Sequence, residues 1–276
     1  MPNIENIDNS LSPDVQLQNW LTEIENRWND IPEFTLDKEK FKHLAVICDG
    51  NRRSAQDRGL DPWFGHRAGI EVIRGIMEAS KKWGIKYLTF WTWSTENWKR
   101  DNMQVSFVMD LAARYLSDQE AIDRLLADRV RFRHLGRKDR LPVDVLTAID
   151  NLEDKTKDFS DLSVNLALDY GGLDELGRAV SSISQKVSEG IITFNQISNN
   201  PNLILGYLDT SGQPVPDLVV RSGNIEGEVP HTSGFMPIQT AYSGWKFLPD
   251  LFPDLTPQIL QNSIEDFLGY ERRQGK

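Results

Sequence analysis

Leu44-Ala45-Val46-Ile47-Cys48-Asp49-Gly50-Asn51-Arg52-Arg53 is an apolar run broken by an acid, a glycine and an amide, with two arginines behind them. The apolar half reads as a buried strand. Such a strand delivers the Asp49 carboxylate to a sheet edge, where the two guanidinium groups have only solvent or an anion to meet. Downstream, Gly65-His66-Arg67-Ala68-Gly69 opens a helical pattern. A second apolar strand ends in Ser94-Thr95-Glu96-Asn97-Trp98-Lys99-Arg100. Two strands are thus expected to carry acid, amide and guanidinium groups to one edge of one sheet, an arrangement suited to phosphate chemistry beside a carboxylate.

Outward from this segment the elements alternate. Ser12-Pro13-Asp14 supplies a cap, a first-turn proline and an early acid for a helix. Leu17, Trp20, Leu21, Ile24 and Trp28 fall on one face of it. Residues 1–40 therefore read as an N-terminal extension with an amphipathic helix, loose over 1–12, and residues 41–276 as one α/β domain. Strands are expected near 43–48, 86–93, 130–135, 162–168, 217–220 and 243–248. Helices are expected near 66–83, 102–127, 143–157, 173–189 and 258–269. Residues 49–65 read as a loop, and 190–214 and 222–240 as long irregular segments. Alternation of this kind implies a mostly parallel central sheet flanked by helices. In such sheets ligands sit at the carboxyl ends of the strands. The polar clusters at 49–53, 94–100, 169–172 and 221–233 each follow an apolar strand. Any one alone would pass for turn residues and solvated arginines; four at four strand ends argue for a site.

Composition narrows the classes. The 276 residues are 39% hydrophobic and 26% charged, enough for a substantial core, and the net charge is −10. That balance argues against a nucleic-acid binder, which needs a basic face. One cysteine, Cys48, rules out an intramolecular disulfide and fits a reducing compartment. No apolar run approaches the roughly 20 residues that span a bilayer, and the polar, acidic start is unlike a secretory signal. A cytoplasmic protein is expected. Peripheral membrane contact stays open, although the acidic first helix does not favour it. The four histidines show no metal spacing, and His43 and His134 at strand ends read as structural. Trp91 and Trp93 alternate along a strand and read as packing residues. There is no Walker loop and no GxGxxG after a strand, which weakens a phosphatase or nucleotide-enzyme reading.

Asp49-Gly50-Asn51-x-Arg53, Gly65-His66-Arg67-Ala68-Gly69, Ser94-Thr95-Glu96-Asn97-Trp98-Lys99-Arg100, Leu168-Asp169-Tyr170-Gly171-Gly172 and Pro216-Asp217-Leu218-Val219-Val220-Arg221-Ser222 stand in the order found in cis-prenyltransferases. Over residues 42–270 the chain resembles these undecaprenyl diphosphate synthase-like enzymes. The resemblance implies condensation of an allylic prenyl diphosphate with isopentenyl diphosphate to give a Z-prenyl diphosphate, with Mg2+ as cofactor and a homodimer as the assembly. It implies that Asp49 is catalytic and metal-associated, and that Asn97 and Ser94 lie near the condensing carbons. Gly50, Asn51, Arg53 and His66 would hold the allylic diphosphate, with Arg52, which departs from the pattern, as a candidate replacement for positive charge lost there. Trp98 and Arg100 would shape or anchor the site, and Arg221, His231 and Ser233 would bind the acceptor's diphosphate. Arginines, amides and a metal suit charge that develops on a departing diphosphate. The apolar face of the 102–127 segment would line a tunnel for the growing chain.

The chain departs from the family pattern at several places. Arg52-Arg53-Ser54 stands for Gly-Arg-Trp, Pro62 for an arginine, and Asp169 for the asparagine of Asn-Tyr-Gly-Gly. A compact arginine-rich element is stretched over residues 221–233, with His231 matching its second arginine. Gly244 stands where the family places a metal-binding glutamate, and Glu226 or Glu228 is the candidate substitute. These departures leave open irregular coupling of allylic units, another acceptor, or cyclisation. A non-catalytic partner subunit is the reading from a different class; retention of Asp49 and Asn97 argues against it.

Overall fold

β1 (His43–Ile47) is buried at every position, so it must lie inside a sheet covered on both faces. It pairs in parallel with β2 (Tyr87–Ser94) on one side and β5 (Leu218–Arg221) on the other. With β3 (Val130–Leu135), β4 (Leu162–Tyr170) and β6 (Gly244–Phe247), these form a six-stranded, all-parallel sheet in the order β3-β4-β2-β1-β5-β6. This is a single α/β domain of the expected class. The chain builds away from β1 through β2, then crosses after β4 to β5 on the opposite side. The reversal puts a crevice at the carboxyl end of β1, the usual ligand position in such sheets. The computed structural model describes residues 11–270, so the expectation of a loose start falls largely outside the described residues.

Helices cover the sheet. α1 is Pro13–Asn29, α2 Asn51–Asp57, α3 Pro62–Trp83, α4 Asn102–Leu116, α5 Gln119–Ala127, α6 Val143–Thr156, α7 Gly172–Ser188, α8 Phe194–Asn199 and α9 Pro257–Gly269. Three of them correct the expectations. Residues 49–65 are not a loop: α2 forms there, but only Ser54 and Ala55 are buried, so no apolar period announces it. α3 begins at Pro62, four residues early, because proline suits a first helical turn. The 102–127 segment is two helices, parted where the Asp118 carboxylate accepts the Ala121 N–H at 2.8 Å and caps α5. Within 190–214, a Thr193–Gln196 capping box starts α8 and a 3-10 turn covers Pro201–Tyr207.

The N-terminal helix packs into the main core. Trp20, Leu21, Ile24 and Trp28 are buried among residues of α3, β1 and β2. Trp28 packs on α3 at Gly75, where a Cβ would stand 2.2 Å from the ring. His43 is fully buried, its ring nitrogens 2.7 Å from the Pro214 carbonyl and 2.8 Å from the Thr89 hydroxyl. His134 Nε2 lies 2.8 Å from the Leu168 carbonyl. Both histidines are structural, as read.

Candidate active site

Register brings the strand-end clusters together. Ile47 lies level with Arg221 on one side and Trp91 on the other. β2 slips register against β4 between Trp91 and Ser94, an irregularity of the kind that re-aims side chains beside sites. The 3-10 turn Thr95–Lys99 follows directly. Behind β1, Gly50 turns the chain at φ +96°, and a Cβ there would stand 2.8 Å from Leu251, so glycine is required. α2 and α3 then close on Asn51: a Cβ at Gly65 would come 1.8 Å from the Asn51 carbonyl oxygen, and one at Gly69 2.5 Å from its side-chain oxygen.

A cavity of about 480 Å³ opens here. Asp49, Gly50, Asn51, Arg52, Arg53, His66, Ser94, Asn97, Arg100, Arg221 and Ser233 all line it. Of the residues expected at the site, Trp98 and His231 do not line it. The Trp98 indole turns away and donates to Asp169 at 2.7 Å. His231 stands behind Arg221, whose guanidinium donates to the His231 carbonyl at 2.5 Å and to the Ser233 hydroxyl at 2.8 Å. Arg221 also reaches the Asp49 carboxylate at 3.1 Å, and Arg53 reaches it at 3.3 Å. Gln56 and Glu96 line the cavity as well. Gln56 lies four residues after Arg52, a spacing that would have singled it out had α2 been recognised. Glu96 was visible only as part of its motif.

Four arginines against two carboxylates, Asp49 and Glu96, leave the cavity two positive charges inside a chain of net charge −10. Among the described residues neither Arg52 nor Arg100 has a carboxylate partner. Burial, and next the Arg52 charge, lower Arg100 from its usual value. Burial, then Arg100 and Arg52, lower His66 to about 4. The His66 imidazole is therefore neutral at pH 7. Its buried Nε2, like Arg52 Nε and Asn51 Oδ1, has no hydrogen-bond partner. Buried polar groups normally have partners, and cations crowded this closely call for an anion.

A second, apolar cavity of about 310 Å³ adjoins the first, sharing Cys48, Asn51, His66 and Thr92 in its walls. It runs between α3 and α4, with Ile70, Ile73, Met77, Val108 and Leu111 on its walls. Ala112, Tyr115 and Leu116 of the expected tunnel face also line it, whereas Val105 and Met109 pack into the core cluster.

The acceptor-side substitutes do not converge on Asp49. Neither Glu226 nor Glu228 lines the cavity. Gly244 pairs with Leu218 at the amino end of β5, while Arg221 marks its carboxyl end. A Cβ at Gly244 would stand 2.5 Å from the Phe267 ring. Position 244 therefore points into packing against α9, correcting the expectation that it could face a metal. Among the described residues no cluster of three or more His, Cys, Asp or Glu could hold a metal by itself. Mg2+, however, commonly uses one or two carboxylates, with substrate phosphates and water completing its shell. The half-exposed Asp49, in a cavity lined by four arginines, fits that mode.

A cationic cleft at the switch point of a parallel sheet, beside an apolar cavity that shares its wall, suits an enzyme that takes anionic headgroups with hydrocarbon tails. The family model for undecaprenyl diphosphate synthases matches residues 47–275. The Isoprenyl transferase of Thermotoga maritima is 40% identical over 234 residues, covering 85% of this chain and 96% of that protein. That of Clostridium perfringens is 36% identical over 247 residues, covering 89% and 94%. Lavandulyl diphosphate synthase from Lavandula x intermedia, solved in complex with dimethylallyl diphosphate, superposes with TM-score 0.80 at 28% identity, covering 87% of this chain and all of that one. A probable undecaprenyl diphosphate synthase from Campylobacter jejuni gives 0.67 at 32% identity, covering 86% and 99%. The chain belongs to the undecaprenyl diphosphate synthase family, and is a prenyl-transferring enzyme of the cis-prenyltransferase type.

Proposed function

We propose that the chain condenses an allylic prenyl diphosphate with isopentenyl diphosphate to give a Z-prenyl diphosphate. The observation that carries this reading is the adjacency of the two cavities: the uncompensated cations of Arg52 and Arg100 and the neutral, unpartnered His66 lie beside apolar walls, and His66 lines both spaces. Arg52, Arg53, His66 and Arg100 bind the allylic diphosphate while its tail enters between α3 and α4. Neutral His66 donates through Nε2, an assignment of tautomer that the anion favours. As the allylic C–O bond breaks, charge grows on the departing diphosphate, where fixed guanidinium groups stabilise it without reorganising. Arg221 and Ser233, supported by His231, orient the acceptor's diphosphate beside Asp49. Asn97 and Ser94 border the place where the acceptor loses its proton. Mg2+ held at Asp49 through the substrate would supply further charge neutralisation on the leaving group.

The same reading makes 41–276 the catalytic domain and 1–40 an extension that braces it, in a cytoplasmic homodimer. No helix among the described residues is long and apolar enough to cross a membrane. Retention of the allylic half beside a rebuilt 221–233 segment supports a second reading, a different acceptor such as another allylic diphosphate. Purified protein is to be incubated with Mg2+, isopentenyl diphosphate and dimethylallyl, geranyl or farnesyl diphosphate. Primer consumption that requires isopentenyl diphosphate supports condensation; consumption without it supports the second reading. If no primer is consumed under either condition, the enzyme reading fails.

A further inference from the structure

The cluster at 169–172 lies outside the cavity, yet Asp169 is completely buried. A buried carboxylate is costly unless paired and hydrogen-bonded. Asp169 is both. Its two oxygens receive the Arg140 guanidinium side-on, Nε at 2.9 Å and Nη2 in a shorter contact. One of the same oxygens accepts the Trp98 indole N–H at 2.7 Å. The backbone is committed as well: Asp169 sits at φ +56°, in the left-handed region that, glycine aside, aspartate and asparagine are among the few residues to tolerate. The Arg137 N–H donates to its carbonyl at 3.0 Å. Arg140 comes from the turn after β3, whose Gly136 has no room for a Cβ: one would stand 2.6 Å from the Leu168 and Asp169 carbonyl oxygens.

On its far side the group holds the wall of the site. Trp98 belongs to the 3-10 turn that presents Glu96 and Asn97 to the cavity. The Arg140 guanidinium lies 5.9 Å from the Trp98 ring centre, and Trp98 meets Trp93 edge-on at 6.0 Å. Trp93 in turn lies under Arg100 at 5.4 Å. Gly171 supports the same turn, since a Cβ there would be 2.5 Å from the Thr95 hydroxyl. We infer that Asp169 and Arg140 form a positioning pair that fixes Trp98, and through it the Ser94–Arg100 turn, in the geometry the transfer step needs. The usual asparagine offers one acceptor oxygen and would turn N–H groups toward the guanidinium. It could not receive all three donors. Aspartate at 169 therefore couples the β3–α6 loop to the site in this chain.

The inference rests on the function proposed above and is tested by steady-state kinetics of wild type, Asp169→Asn, Arg140→Gln and the double variant. Inorganic pyrophosphate affinity is measured in parallel. Each single change is expected to lower kcat about tenfold while KM for the allylic diphosphate and pyrophosphate affinity stay within about twofold. The double variant should fall no further than the slower single one, because either change breaks the same pair. The inference is overturned if folded variants keep wild-type kcat, if the loss lies wholly in KM, or if the two losses multiply. Should Asp169→Asn fail to fold, Arg140→Gln carries the test, since that side chain is 38% exposed. Absence of turnover by wild type would overturn the function and this inference together; active wild type with unimpaired variants overturns the inference alone.

Discussion

Asp49 carries no core packing, being 41% exposed at the side chain and tied to Arg53 and Arg221. Asp49→Ala is expected to lower kcat by about 10³-fold, with the circular dichroism spectrum unchanged. Wild-type product formation by that variant would remove Asp49 from the mechanism. His66 gives a second prediction. Its native pKa, about 4, lies below the ordinary 6.5, as does that of His43, lowered to about 4 mainly by burial. The unfolded chain therefore takes up protons first as pH falls, and native stability drops from about pH 6.5 downward. Each histidine should cost about 2 kcal/mol between pH 7 and 5. Urea unfolding of wild type and His66→Gln at the two pH values isolates the His66 share as a difference, since the lowered His134 and the raised Glu175 also enter the wild-type slope. Pyrophosphate should shrink the His66 share by offsetting the Arg52 and Arg100 charges; an unchanged pH slope with pyrophosphate would count against an anion at His66.

Among elements, the contact of α2 with α3 sets the allylic site. Gly65→Ala must push Asn51 back, because the new methyl would meet its carbonyl oxygen at 1.8 Å. Overpacking of this kind costs about 1–3 kcal/mol, and activity should fall at least tenfold through misplaced Asn51, Arg52 and Arg53. Thermal unfolding together with kinetics checks both. Gly244→Glu should destabilise the β6–α9 contact and leave the Mg2+ titration unchanged; a gain in metal affinity would contradict the register of β5 with β6. The inner strands β1 and β5 were legible because short runs of consecutive apolar residues suit a sheet covered on both faces. α2 was not, since a short helix with two buried residues has no period to read. Nor was the break at Ser117-Asp118, where one carboxylate stops a pattern that apolar spacing alone would continue.

In the whole molecule, one edge of one sheet gathers residues from 49 to 233, and the apolar cavity begins where that edge ends. Much of this was readable from chemistry-bearing residues clustered just after apolar runs. The direction of a side chain was not: Trp98 follows the cavity-lining Asn97, yet turns to Asp169 through a contact 71 residues away in sequence. Position 244 misled for the same reason, since facing depends on strand register. The N-terminal helix closes the far side of α3, so Trp28→Ala should cost about 3–5 kcal/mol, read by chemical denaturation; a loss below 1 kcal/mol would make α1 a detachable element. The most direct test of the central claim is a structure with Mg2+ and an unreactive allylic thiolodiphosphate. The account predicts the diphosphate against Arg52, Arg53, His66 and Arg100, with the tail between Ile70 and Leu111. A diphosphate bound away from Asp49, or a tail lying outside the α3–α4 cavity, would contradict it.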